Sequence, residues 1–347
     1  MRLTWVCVAM VMLAGGARAG DLNILGWEGY ADDSFVKPFT ARTGCNVTAT
    51  YVGSNDEIVA KVLGGNGSSV DLVTPSNDTT TELIEADAVE PVDISRLPHL
   101  PEYYPAFRSP KWLMKDGRQY GVPFAFGVTR IVLKRGVLAD VPNSLSVLWD
   151  PRLKGKLTLW ADVETLYMAA RYLGIANVYT MTDDQLARVR DALIRQKPNI
   201  VKYWTTDAEF LDLYTSGAVV GGNTNEINLA KLRAAGDESL QEIVPKEGRS
   251  GWSDSWLIVK GAGDNPCVYQ WLDWVSTAQA QALATKVTNY SFANPGAFAL
   301  LDHATQERMR QFGLVDPAAL DRISWWQAVP RREKYLEILN QVRAAGG

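Results

Sequence analysis

Leu22-Asn23-Ile24-Leu25-Gly26-Trp27-Glu28-Gly29-Tyr30 holds the unit from which the chain is built. An apolar run too short for a helix reads as a buried strand. It breaks at glycine into a loop carrying two rings and an acid. Residues 32–43 follow with Phe35, Val36 and Phe39 on one helical face and Gly44 where a C-terminal glycine belongs. Residues 46–51 read as the next strand, residues 55–63 as a second helix ending at Gly64-Gly65, and residues 70–74 as a third strand stopping at Pro75-Ser76-Asn77-Asp78. Strands alternating with helices of about ten residues predict an α/β domain with a mostly parallel sheet. Ligands bind such sheets in the loops beyond the carboxyl ends of the strands, where residues 27–30 and 76–78 lie.

The alternation resumes after an irregular, proline-rich stretch from 91 to 123. Extended character returns at 126–129, then a strand at 157–159, helices at 164–173 and 182–195, a strand at 219–222 and a helix at 225–235. A strand at 257–260, a helix at 266–277 and further helices around 277–286 and 330–344 complete the reading. With 347 residues and no Gly/Ser linker, the chain reads as two α/β lobes.

Composition narrows the classes of function. Hydrophobic residues are 47 % and charged residues 21 % of the chain, which excludes a disordered or disulfide-scaffold protein. A net charge of −4 gives no reason to expect a nucleic-acid partner. Arg2, the apolar run 3–13 and Ala17-Arg18-Ala19 form a cleavable secretory signal over residues 1–19. Its run is too short to span a bilayer, so the exported chain is expected to be soluble, in the periplasm. Removing it takes Arg2 and Arg18 away and leaves 33 basic against 39 acidic residues. Cys45 and Cys267 then remain in an oxidising compartment. Whether they pair is a question of geometry that the sequence leaves open.

Catalytic patterns fail on inspection. Gly251-Trp252-Ser253-Asp254-Ser255 has Ser where a nucleophile elbow needs its last glycine, and His99 and His303 are the only histidines. A hydrolase is therefore a distant alternative. Gly64-Gly65-Asn66-Gly67-Ser68-Ser69 follows a helix and lacks the lysine of a phosphate loop. Tyr103-Tyr104 has no histidine beside it to make a metal site. No cofactor, metal or catalytic set is expected, and the chain reads as a binding protein rather than an enzyme.

What remains is rings beside acids: Trp27, Glu28 and Tyr30; Trp252, Asp254 and Trp256; and Trp160 with Asp162 and Glu164. Singly, each has an ordinary explanation, and Asp162 in particular suits a helix cap. Together they suit a small organic cation, since aromatic faces attract cations by about 0.5–2 kcal/mol each and carboxylates add charge-assisted hydrogen bonds.

An ordered series of landmarks runs the length of the mature chain. It comprises Gly26-Trp27-Glu28-Gly29-Tyr30, Asp71-Leu72-Val73-Thr74-Pro75-Ser76, Trp149-Asp150-Pro151-Arg152-Leu153-Lys154-Gly155-Lys156, Pro245-Lys246-Glu247-Gly248, Gly251-Trp252-Ser253-Asp254-Ser255 and Trp325-Trp326-Gln327. In these the chain resembles the periplasmic polyamine-binding proteins, the spermidine/putrescine receptors of bacterial ABC importers. The resemblance implies a two-lobed, type II-like clamshell that closes on its ligand and delivers it to an inner-membrane permease. It implies a monomer with crossings near Gly127, Ser255 and Ala299: residues 20–127 plus 256–299 in one lobe, 128–255 plus 300–347 in the other. Carried over, Trp27, Tyr30, Trp252 and Tyr290 fall on the rings that sandwich the ligand. Asp254 falls on the carboxylate for an internal amine, Asp162 and Glu164 near the pair for a terminal amine, and Glu28, Ser76 and Gln327 on polar contacts.

The chain also departs from the family. Gly222-Asn223 replaces an expected Trp, Asp78 replaces a Tyr, and the spacing from Asp162 to Glu164 is one residue short. With Asn223 and Asp78 in the site, a ligand shorter or more polar than spermidine is implied, within a putrescine- or spermidine-like polyamine class. The alternative is a zwitterionic amine such as 4-aminobutyrate or aminoethylphosphonate. That ligand needs a cation opposite its acid group. Arg130 and Lys202 are the candidates, although each reads first as a solvated surface charge.

Overall fold

The computed structural model describes residues 20–65, 69–312, 315, 320 and 323–345. The expected signal and residues 66–68 of the glycine-rich loop lie outside them.

The opening stretch folds as read. Strand Asp21–Gly26 pairs in parallel with both Asn46–Tyr51 and Leu72–Val73. The intervening helix Asp33–Thr43 starts where the Asp32 side chain accepts from the Ser34 N–H and ends at Gly44 with φ 75°, a left-handed turn that glycine makes without strain. Helix Asn55–Leu63 is capped by Ser54, whose hydroxyl accepts from the Glu57 N–H. Gly26 lets the strands close up, because a Cβ there would meet the Thr74 hydroxyl at 2.1 Å.

Two sheets carry the molecule. In the first, of eight strands, the order is Ser291–Phe292, Val122–Val128, Ser250–Val259, Leu72–Val73, Asp21–Gly26, Asn46–Tyr51, with Val89–Glu90 and Ser324–Trp325 also pairing to Ser250–Val259. The second, of five, runs Ile200–Trp204, Leu157–Trp160, Gly221–Thr224, Arg130–Lys134, Leu240–Ile243. Each has a parallel part, the three opening strands in one and Ile200–Trp204, Leu157–Trp160 and Gly221–Thr224 in the other. Strands next to a crossing, Ser250–Val259 and Arg130–Lys134 among them, join antiparallel.

Strand pairing divides the chain differently from the boundaries implied by resemblance. The first crossing falls between Val128 and Arg130, close to Gly127. The second precedes Ser250, since the whole of Ser250–Val259 pairs in the first sheet and Ser255 sits mid-strand. The Gly-Trp-Ser-Asp-Ser run lies inside that strand, all ten residues of which are buried, whereas the sequence reading starts a strand only at 257. Helix His303–Phe312 stays with the first lobe, where Arg308 bonds the Asn289 side chain. Among the described residues the chain next crosses after Trp325, to helix Arg332–Ala344. That helix packs on the second lobe through Tyr335 and through Lys197, whose ammonium bonds the Val342 carbonyl at 2.9 Å. Cys45 and Cys267 do pair, with Cα atoms 5.9 Å apart, tying the strand Asn46–Tyr51 to helix Pro266–Ser276.

Candidate functional site

A cavity of about 330 Å³ opens between the lobes, at the small end of the range for small-molecule sites. Trp27, Glu28, Ser76, Trp252, Asp254 and Tyr290 line it from the first lobe. Trp160, Trp204, Asp207 and Asn223 line it from the second. The lobes touch across it: the Trp160 indole donates to the Gly53 carbonyl at 3.1 Å, and the Trp27 and Trp160 rings meet edge-on at 6.3 Å. At the rim Lys231 and Glu28 form an exposed ion pair of 2.9 Å.

Asp254 is the best-built group. It is 3 % exposed and accepts from the Ser76 hydroxyl at 2.6 Å and the Tyr30 hydroxyl at 2.5 Å. Burial pushes its carboxyl up to about 7, against the pull of those two hydrogen bonds. Trp252 and Tyr290 stand edge to face beside it, with centroids 4.6 Å apart.

Seven of the residues named from sequence line the cavity: Trp27, Glu28, Ser76, Asn223, Trp252, Asp254 and Tyr290. Five do not. Tyr30 turns inward because its N–H closes a turn onto the Trp27 carbonyl, and its ring packs between Phe124 and Tyr290. It supports Asp254 instead of forming a wall. Asp78 is buried against the Arg332 guanidinium at 2.9 Å and accepts from the Tyr167 hydroxyl at 3.0 Å. Asp162 accepts from the Glu164 N–H at 3.0 Å, as a helix cap does. Burial raises its carboxyl to about 8, helped by the Asp56 and Asp78 charges. Glu164 is held by the Asn223 amide at 3.0 Å and is raised to about 7 by burial. Both lie behind Asn223 and Trp160 rather than in the cavity. Gln327 is exposed, and its neighbour Trp326 lines the cavity in its place, fixed by an indole bond to the Ser250 hydroxyl.

The cation candidates for a zwitterion's acid group are spoken for. Arg130 is 1 % exposed, not a surface charge, and pairs with Glu226 at 2.9 Å and Glu242 at 2.7 Å. Lys202 is exposed and pairs with Glu209. Among the described residues no Lys or Arg lines the cavity, whereas Glu28, Glu57, Asp207 and Asp254 do.

Sequence reading missed Trp204 and Asp207, which lie in a strand and helix, Ile200–Trp204 and Asp207–Thr215, that it did not assign. The signal was present: an Ile-Val-Lys-Tyr-Trp run followed by Thr206 and Glu209 at capping-box spacing. At the Gly222-Asn223 pair no side chain fits on Gly222, since any Cβ there would sit 1.7 Å from the Thr158 carbonyl, and Asn223 stands in the cavity wall without a ring. Trp204 supplies a ring on that side instead, stacked on Trp160 at 5.6 Å and 14°.

A family profile described as bacterial extracellular solute-binding protein matches residues 34–308. The putrescine/cadaverine-binding protein of Pseudomonas aeruginosa is 25 % identical over 319 residues, covering 86 % of each chain. The putrescine-binding periplasmic protein PotF of Escherichia coli is 24 % identical over 334 residues, 90 % of this chain and 88 % of its own. A solved structure described as a putative spermidine/putrescine ABC transporter from Listeria monocytogenes superposes with a TM-score of 0.83 at 23 % identity, over 93 % of this chain and 99 % of that one.

Proposed function

Because the chain belongs to the bacterial extracellular solute-binding protein family, a family of receptors and not of enzymes, we propose that its cleft takes a putrescine- or spermidine-like polyamine for an ABC importer. The observation that carries this reading is the charge of the cavity: four carboxylates and no Lys or Arg among its described lining residues, set between indole and phenol rings. An ammonium group gains from both, through cation–π attraction and charge-assisted hydrogen bonds. A ligand ending in a carboxylate or phosphonate would meet acids and no partner. Relatives named for putrescine support the same choice. The lobes close over the ligand and the closed form docks with an inner-membrane permease. The signal over residues 1–19 directs export to the periplasm, and no helix among the described residues is long and apolar enough to cross a membrane.

Thermal unfolding of the mature chain with putrescine, spermidine, 4-aminobutyrate and aminoethylphosphonate tests the reading. A ligand present at 100 times its dissociation constant stabilises by about 2.7 kcal/mol. Stabilisation by a polyamine and not by the zwitterions is expected. The reverse pattern overturns it.

A further inference from the structure

Asp207 has no counterpart in the set of residues that the resemblance carries over, and it is held as a binding carboxylate is held. It opens helix Asp207–Thr215 on the second lobe, just beyond the carboxyl end of strand Ile200–Trp204, and lines the cavity. Its Oδ1 accepts two amide N–H bonds, from Asn225 and Asn228, each 2.8 Å. Those amides come from the cap and first turn of the neighbouring helix Glu226–Ala234 and fix the carboxylate in one orientation. Among the described residues no hydrogen bond reaches Oδ2, the oxygen left for a ligand. The two supporting amides are neutral, so the negative charge of Asp207 is not cancelled by a cation beside it. Lys231, whose charge bears on Asp207, is itself paired with Glu28 at the rim.

Asp207 and Asp254 belong to opposite lobes and share the cavity. Tyr290, a lining ring, is influenced by both, and its phenol is raised by burial and then by Asp207, Glu226, Asp254 and Glu28. Trp204 and Trp160 stack in the wall beside Asp207, as Trp252 and Tyr290 stand beside Asp254. Each carboxylate thus has its own pair of rings.

The geometry points to Asp207 as the receiver of a second ammonium group, so that the site selects α,ω-diamines over monoamines by bridging its two lobes through the ligand. This rests on the polyamine reading above and deepens it. A monoamine satisfies Asp254 and leaves Asp207 facing solvent. A diamine satisfies both, and its second charge draws the second lobe onto the first. Asp207 is then the determinant of ligand length and charge on the lobe where the resemblance had led one to expect a tryptophan.

The test is calorimetric titration of the mature chain and its Asp207→Asn variant with α,ω-diamines of three to six carbons and with the corresponding n-alkylamines. Asn keeps an acceptor for the Asn225 and Asn228 amides and removes only the charge. Asp207→Ser serves if Asn lowers the ligand-free melting temperature. The expected result is a loss of about 10- to 100-fold in affinity for the best diamine, with monoamine affinity unchanged. A wild-type chain that binds diamines while the variant matches it, or loses diamine and monoamine alike, overturns the role of Asp207 and leaves the polyamine reading standing. A wild-type chain that binds no amine overturns both.

Discussion

The indole N–H of Trp204 donates to the carbonyl of Asn223 at 3.1 Å, which lays a ring from one strand over the backbone of another. Gly221–Thr224 and Ile200–Trp204 both pair with Leu157–Trp160 and so reach the cleft at the same end of the second sheet. The ring missing at Gly222-Asn223 is thereby regained from position 204. Trp204→Leu keeps most of the apolar volume and removes the π face. It should weaken an amine ligand by about 0.5–2 kcal/mol, read by calorimetry, with the fold kept. Unchanged affinity would show that the Trp160 and Trp204 stack only packs.

Asp254 ties affinity to pH. In the free protein, burial holds the carboxyls of Asp254 and Glu164 near 7 and that of Asp162 near 8, each above its ordinary carboxylate range. The folded state therefore keeps protons that the unfolded chain has released, from about pH 4 up to these values. Ligand-free stability should fall as pH rises through that window, so the melting temperature at about pH 5 exceeds that at about pH 8. A bound ammonium favours the ionised Asp254 and reverses the sign there. Affinity should rise from about pH 6 to pH 8 with release of a proton, seen by titrating in buffers of different ionisation enthalpy. Asp254→Asn should abolish that proton release and cost about 2–5 kcal/mol of binding.

A buried ion pair joins the lobes behind the cleft. Arg332, on the last helix, reaches Asp56 at 2.6 Å and Asp78 at 2.9 Å, both on the first lobe. Removing the guanidinium leaves the buried Asp78 carboxylate, and the half-buried Asp56 beside it, without a counter-charge, so Arg332→Met should destabilise by about 3–5 kcal/mol in denaturant titrations. Adding Asp78→Asn to that variant should recover part of the loss. Equal effects from additive, uncoupled substitutions would contradict the pairing.

Much of this was legible in the sequence because local signals agreed with the fold. Asp32, Ser54 and Gly44 mark helix ends by side-chain chemistry alone. The rings and acids at 27–28, 252–254 and 290 and the hydroxyl of Ser76 converge because they sit at strand ends or on the long buried strand. What failed needed partners distant in sequence. Asp78 and a ligand carboxylate look alike until Arg332 is brought up from 254 residues away. Trp204 and Asp207 went unread because the edge strand Ile200–Trp204 leaves Val201 46 % exposed, so its alternation does not announce a buried element. The strand at Ser250–Val259 is buried on both faces, so it shows no alternation over 250–256, and only its apolar end from 257 is legible.

The most direct test is a pair of titrations of the mature chain, with putrescine and with 4-aminobutyrate, matched four-carbon chains that differ only in whether the second end is ammonium or carboxylate. A cleft lined by Glu28, Glu57, Asp207 and Asp254 and by no described Lys or Arg should bind putrescine and give no measurable heat with 4-aminobutyrate. Tighter binding of 4-aminobutyrate would contradict the account.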